Sequence, residues 1–312
     1  MSTKPALRYG YLGPEGTFTE AALLSWLESR PADLVAYGSV IGALDAVRGS
    51  DIAGAMVPLE NSVEGSVSAT LDALATGPPL MILAEAQVPV TFSLLVRAGT
   101  SLENIKQVTT HPHAEAQCRG WLAEQLPGAE FSASASTAAA AAAVADPTGT
   151  FDAAISSQLA GRVYGLVELV QNIGDGPAET RFVLVGSPAP PPPATGADKT
   201  SLVLYIGEDH PGALLEILTE FAVRGVNLTR IESRPTGGGI GDYFFSVDIE
   251  GHVDDARVGE ALTGLRRVCA EVRFLGSYPR IDGISPTVRR GVADGEFREA
   301  QAWLARVREG RR

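Results

Sequence analysis

Thr180-Arg181-Phe182-Val183-Leu184-Val185-Gly186-Ser187-Pro188-Ala189-Pro190-Pro191-Pro192-Pro193 divides the chain into two differently patterned parts. Residues 181–185 read as a strand, apolar and rich in β-branched side chains. The prolines after it fix φ and remove donors, so neither helix nor sheet runs through them; they read as a stiff spacer. Upstream, predicted strands over 7–12, 35–37 and 52–57 alternate with helices. One helix opens at the capping pair Thr17 and Glu20 and runs through Leu27; others cover 40–48 and 65–74. A second run places two strands in 80–95 on either side of Pro89, a strand over 105–109 and a helix over 114–125. It continues with a helix over 137–145 started by Ser136 or Thr137, a strand over 151–155 and a helix from 156. Alanine-rich 137–145 is read as packed helix, because alanine is the best helix former. After Glu168-Leu169-Val170 a loop returns to 181–185. This is an α/β pattern with mainly parallel sheets, in two lobes with a cleft between them.

Downstream the order is a strand over 200–206, a helix over 211–224, a strand over 226–233, a turn at Gly237-Gly238-Gly239, a strand over 243–249, a helix over 253–268 and a strand over 272–276. That is βαββαβ, a ferredoxin-like unit. The tail over 292–308 reads as a polar helix whose partner the sequence does not name.

The formal net charge of −12 argues against nucleic acid or an anionic membrane as partner, since both need a basic face. A small anion remains compatible, because a pocket can be locally positive. No apolar run approaches the roughly 20 residues that span a bilayer, and no apolar signal region follows Met1. Cys118 and Cys269 fall in different predicted domains, so a reducing cytoplasm is expected and no disulfide framework. Cys118 is read as a small buried apolar residue.

Four polar clusters of the first part are expected to converge. Gly13-Pro14-Glu15-Gly16-Thr17-Phe18 sits where a strand hands over to a helix, whose free N–H groups and positive dipole suit a carboxylate or phosphate; the plainer alternative is a capped tight turn. Glu60-Asn61-Ser62 offers two side-chain donors and an acceptor, or a helix cap. Thr110-His111-Pro112-His113 spaces two histidines at i, i+2, but no nearby Cys or acidic partner completes a metal set, so no metal is expected. Thr180 is suited to a positioned donor to a departing oxygen, and Arg181 to a carboxylate; alternatively both are ordinary strand residues.

From Tyr9 to Tyr278 the chain resembles the prephenate dehydratase family. The resemblance rests on Gly13–Phe18, Pro58-Leu59-Glu60-Asn61-Ser62 with Gly65 and Val67, His111-Pro112, Asn172 and Thr180-Arg181-Phe182. Downstream, Gly212-Ala213-Leu214, Asn227-Leu228-Thr229 and Ile231-Glu232-Ser233-Arg234-Pro235 look like an ACT regulatory domain. One departure is His113, where the family usually has Gln; a histidine makes that contact pH-sensitive. The resemblance implies a periplasmic-binding-protein-like catalytic domain over 1–187, with lobes of about 1–78 plus 168–187 and 79–167. A linker over 188–198, an ACT domain over 199–280 and a tail over 281–312 follow.

The implied reaction removes water and carbon dioxide from prephenate to give phenylpyruvate. Aromatisation drives it, so no cofactor is expected. The site must hold a dianion, donate to the departing hydroxyl and exclude water. By resemblance Thr180 is the donor, with Arg181, Asn61, Ser62 and Glu60 in the catalytic group and Glu60 orienting its neighbours. Thr17, Gly16, Phe18, His113, Phe182 and Asn172 are expected against the substrate. L-phenylalanine is the expected effector at Gly212, Ala213, Leu214, Asn227, Glu232, Ser233 and Arg234, in a homo-oligomer (dimer or tetramer) paired through its ACT domains. Arogenate dehydratase is the near alternative, and a binding module without catalysis the distant one.

Overall fold

Strand β1 (Leu7–Leu12) pairs in parallel with β2 (Ala32–Tyr37) and β3 (Gly54–Asn61). The computed structural model describes residues 7–207, 210–236 and 243–311, so the turn expected at Gly237–Gly239 lies outside the described residues. Two helices connect these strands, α1 (Phe18–Leu27) capped by Thr17 and α2 (Val40–Arg48) capped by Ser39. β3 runs through Pro58, where the sequence predicts an end. The β1 ladder stops at Met56, so the missing proline N–H breaks no bond to β1. The helix expected from Gly65 begins later: β4 (Gly65–Ser66) folds back on Glu60–Asn61, and α3 (Ser68–Ala75) follows. β5 (Met81–Pro89) then completes a sheet of order β2-β1-β3-β11-β5, in which β11 is Glu179–Gly186.

A second sheet holds β6 (Ser93–Val96), β7 (Gln107–Thr110), β8 (Glu130–Ala133), β9 (Ala153–Ser156) and β10 (Val167–Val170), in the order β10-β6-β9-β7-β8. It is mixed, not mainly parallel: β6 runs antiparallel to both β9 and β10. Its helices are α4 (Pro112–Gln117), α5 (Arg119–Gln125), α6 (Thr137–Ala145) and α7 (Gln158–Tyr164). The single helix expected over 114–125 is broken at Cys118. There the Asp175 carboxylate accepts the N–H groups of Gly120 (2.8 Å) and Trp121 (3.2 Å) and caps a new start. The expected lobe limits also move. β5 belongs to the first sheet and β10 to the second, so the chain crosses after Pro89 and returns after Val170. The crossings are tied by Val90 N–H to Ala178 O (2.7 Å) and Ile173 N–H to Phe92 O (2.9 Å). The sequence places a strand on each side of Pro89, but nothing in it tells which sheet each joins.

Alanine-rich α6 packs its small face with Leu95, Ala154 and Ala160, and Ala138, Ala140 and Ala141 are fully buried. Side chains this small let the helix approach the sheet closely, and they leave no room for growth. Ala141→Leu is expected to destabilise the protein by about 1–3 kcal/mol through overpacking, read as a lower urea midpoint at unchanged slope.

The chain divides into two compact units. One comprises residues up to Thr70 with Ala86–Val185, the other Leu71–Glu85 with Gly186 onward. The second contains β12 (Asp198–Tyr205), α8 (Ala213–Ala222), β13 (Leu228–Pro235), β14 (Tyr243–Glu250), α9 (Ala256–Val268) and β15 (Glu271–Pro279). The antiparallel order β13-β14-β12-β15 is the expected βαββαβ arrangement. One face packs on the helices through Leu202, Ile217, Phe221, Val247, Val258 and Leu265. The other carries a buried ion pair, Arg230 Nε to Asp248 Oδ2 at 3.0 Å, with Ser201 donating to Asp248 at 2.6 Å and Ser246 accepting from Arg230 at 2.8 Å. Buried charges need such partners, since an unpaired one is strongly destabilising. Leu71–Glu85 packs in this unit through Lys199 Nζ to Glu85 (2.8 Å) and a close approach of Ile82 O to Gly276. The tail forms α10 (Asp294–Arg308) beside α9.

Candidate active site

Asn61 ends β3, and Thr180 is the second residue of the adjacent β11. Ser62 fixes their register: its N–H donates to Glu179 O at 2.9 Å, and its Oγ accepts the Glu179 N–H at 3.0 Å. Asn61 Oδ1 accepts the N–H groups of Val63 (2.8 Å) and Glu64 (3.0 Å), a turn that aims the chain into β4. Those two bonds orient the amide, so that Nδ2 faces Thr180 and donates to its Oγ1 at 2.8 Å. A hydroxyl that accepts from an amide keeps its own proton for another acceptor. Thr180 borders a cleft, so that proton is available to a bound molecule.

The cleft, about 550 Å³, draws its walls from both lobes of the first unit. Three of its lining residues are helix N-caps: Thr17 for α1, His111 for α4 and Ser136 for α6. Thr17 Oγ1 accepts from Glu20 N–H (3.3 Å) and Ser136 Oγ from Ala139 N–H (3.0 Å). Helix geometry leaves the N–H groups before these, on Phe18 and Thr19 and on Thr137 and Ala138, without intrahelical partners. Three helix N-termini around one cavity favour an anion without a cationic side chain. Among the described lining residues there is neither Lys nor Arg. Phe182 and an edge-to-face pair, Phe18 and Phe92 with centroids 5.9 Å apart, form an apolar wall.

His111 Nδ1 accepts the His113 N–H at 3.3 Å. Burial holds its imidazole below the ordinary value and the neighbouring His113 adds to this, against the opposing pull of Glu64. His111 is therefore neutral at pH 7, with Nε2–H as a donor. The His113 Nδ1 lies 3.7 Å from Glu64 Oε2, joining α4 of one lobe to the β3–β4 turn of the other. Among the described residues no group of three or more His, Cys, Asp and Glu gathers as a metal site. Burial pushes the Cys118 thiol up to about 12, in keeping with its reading as a packed apolar residue.

Thr180, Asn61, Thr17, Phe18, His113 and Phe182 are thus brought to one cavity. Other expected site residues sit elsewhere. Arg181, next along β11, lies 3.9 Å from Glu60 Oε2, and neither borders the cleft. Successive strand residues point to opposite faces, so a strand that turns Thr180 to the cavity turns Arg181 away. Ser62 ties β3 to β11. Gly16 has φ +85°, gives its N–H to Glu20 and accepts Ser157 Oγ–H at 2.9 Å. A Cβ there would lie 2.9 Å from Ala160 Cα, so glycine is required by the approach of α7. Asn172 is exposed in the left-handed conformation, φ 55°, beside a smaller recess of about 190 Å³ between the crossings. Ser136, Thr137 and Glu64 border the cleft but were not among the expected site residues. The Ser-Thr cap before an alanine run was the available signal for the first two.

A family model for prephenate dehydratase matches residues 9–190, and one for the ACT domain matches residues 201–267. The chain belongs to the prephenate dehydratase family. A prephenate dehydratase of Mycolicibacterium vanbaalenii is 48% identical over 96% of this chain and 98% of its own. The crystal structure of prephenate dehydratase from Arthrobacter aurescens in complex with L-Phe superposes with a TM-score of 0.93 at 49% identity, over 97% of this chain and 100% of that one. A structure described as a novel type of quorum quenching acylase, GqqA, has a TM-score of 0.78 at 30% identity, over 87% and 97% of the two chains.

In the ACT unit the expected effector residues fall on two faces of edge strand β13. Ser233 pairs with Phe245, whose side chain belongs to the helix-side core, and Gly212, with φ 99°, opens α8 on that side. Glu232 and Arg234 alternate to the other face, where Arg234 holds Asp72 through two bonds, 3.1 and 2.7 Å. Asn227 is exposed just before β13, and its carbonyl accepts Glu250 N–H at 2.9 Å.

Proposed function

We propose that this cleft carries out the family's reaction on prephenate, with the Thr180 hydroxyl as donor to the departing ring hydroxyl. The observation that carries the proposal is the 2.8 Å bond from Asn61 Nδ2 to Thr180 Oγ1, which leaves the threonine proton to be given to a ligand. The electron pair of the bond to the ring carboxylate enters the ring and carbon dioxide leaves. The carbon–oxygen bond to the hydroxyl breaks, and the hydroxyl departs as water with one proton taken up overall. Formation of the aromatic ring supplies the driving force, so no electron sink is called for. The N-termini of α1 and α6 offer N–H groups to the carboxylates, and His111 Nε2–H a further donor. Phe18 and Phe182 supply apolar surface to the ring. Arg181 and Glu60 brace the strands instead of touching substrate. Arogenate, which carries an amino group, is tested beside prephenate by comparing kcat/KM.

The relative from Arthrobacter aurescens binds L-Phe. By that likeness L-phenylalanine is the effector of this chain, held near the start of α8 and the helix-side face of β13. The ACT likeness goes with a homo-oligomer, dimer or tetramer. Among the described residues no helix is long and apolar enough to cross a membrane, and the two cysteines are buried and unpaired; a cytoplasmic enzyme is the reading that fits. L-phenylalanine at 100 times its Kd is expected to stabilise the protein by about 2.7 kcal/mol, read as a raised Tm. It is also expected to change turnover, which requires different affinities for two states. If Tm and turnover are both indifferent to L-phenylalanine, the effector assignment fails while the catalytic one stands.

A further inference from the structure

The C-terminal helix carries an apolar stripe that nothing among the described residues covers. Its first turns are anchored: Val292 is buried against Gly225, Asp294 Oδ1 accepts the Arg257 N–H at 3.2 Å, and Gln301 Nε2 donates to Glu260 at 3.1 Å. From Arg298 to the end, every described residue is exposed. At 3.6 residues per turn, Phe297, Ala300, Trp303, Leu304 and Val307 nevertheless share an arc of about 120°. Trp303, Leu304 and Val307 are 55%, 40% and 47% exposed. A helix of this length is marginal in water unless an apolar face is packed.

The charges along the helix indicate what packs there. Its N-terminal half carries Asp294, Glu296 and Glu299 against one cation, Arg298; its C-terminal end carries Arg306, Arg308 and Arg311 against Glu309. Asp294 and Glu296 also serve their own unit, through Arg257 and through the helix cap, which leaves Glu299 as the freest acid of that half. A parallel copy of the helix would set like charge on like. An antiparallel copy sets the acidic half on the basic one and brings Glu299 alongside the other copy's Arg306. The stripe is centred between Ala300 and Leu304, so a two-fold axis there lays it on itself, as a self-complementary contact requires. We propose that α10 is an interface between two copies of this chain, packed antiparallel through Ala300, Trp303 and Leu304.

The register is testable by single cysteines in the full-length protein. Cys118 and Cys269 are buried, so an introduced thiol is the reactive one. Under mild oxidation Ala300→Cys, near the axis, is expected to give a disulfide-linked dimer. Val307→Cys, whose two copies would lie about 15 Å apart at 1.5 Å per residue, is expected to stay monomeric in denaturing gels. Adding Trp303→Glu to Ala300→Cys is expected to lower the cross-linking rate about tenfold or more; these positions are exposed, so the fold is not at risk. Absence of the Ala300→Cys dimer, or equal cross-linking at both positions, overturns the proposal. So does retention of cross-linking with Trp303→Glu. Co-sedimentation of the uncross-linked protein with phosphatidylglycerol vesicles, in place of a dimer, would assign the stripe to a membrane surface instead.

Discussion

Thr180→Val is expected to lower kcat by about 10²–10⁴-fold with little change in KM, the range for loss of a positioned proton donor. Valine keeps the branched shape of threonine, and residue 180 is almost fully buried, so packing in β11 is retained. What is lost is the hydroxyl that accepts from Asn61 and faces the cleft. The substrate's carboxylates are bound, on this account, by helix N-termini that the substitution does not touch, which is why KM should hold. Thr180→Ser keeps the hydroxyl and should recover a large part of the rate. A fall in kcat/KM carried by KM alone would make Thr180 a binding residue and not the donor.

Asn61→Asp is expected to reduce kcat about as severely, for a different reason. The carboxylate can still accept the N–H groups of Val63 and Glu64, so the turn into β4 survives. It cannot donate to Thr180 and would instead accept the threonine proton, turning the hydroxyl away from the substrate; it also adds negative charge beside a dianion. Asn61→Ala removes the acceptor as well and loses both turn bonds; the freed Val63 and Glu64 N–H groups lie at an exposed turn and can be hydrated, so each loss costs about 0.5–1.5 kcal/mol. Thermal melts and kinetics of the pair separate the roles. Asp should be nearly as stable as the parent and almost inactive, and Ala should lose stability too. If Asp retains normal turnover, the orientation of the Thr180 hydroxyl does not depend on Asn61.

How much of this was legible in the sequence varies with the range of the interaction. Local signals carried far. The Thr17 and Ser136 caps, the alanine helix and the order βαββαβ all appear where hydrogen bonding and side-chain size alone require them. Pairing between distant strands did not. Nothing local to 80–95 says that β5 joins the first sheet and β6 the second, and nothing at Glu168-Leu169-Val170 says that it pairs with β6. The same limit governs the site. Motif position brought Thr180 and Asn61 to one place but put Arg181 beside them. The alternation of β11 sends Arg181 toward Glu60, outside the cleft lining, and the anion-binding potential comes from helix ends that residue type does not announce. Asp72, the partner of Arg234, lies 162 positions away in sequence, beyond any pattern.

The central claim is that this cleft converts prephenate by a donor at Thr180. The most direct test supplies prephenate to the purified wild-type chain and to Thr180→Val at neutral pH, following phenylpyruvate and carbon dioxide together. The account predicts equimolar products from the wild type and a loss of turnover of at least about 10²-fold in the variant. Folded wild-type protein that releases neither product, or a variant that matches it, would contradict the account.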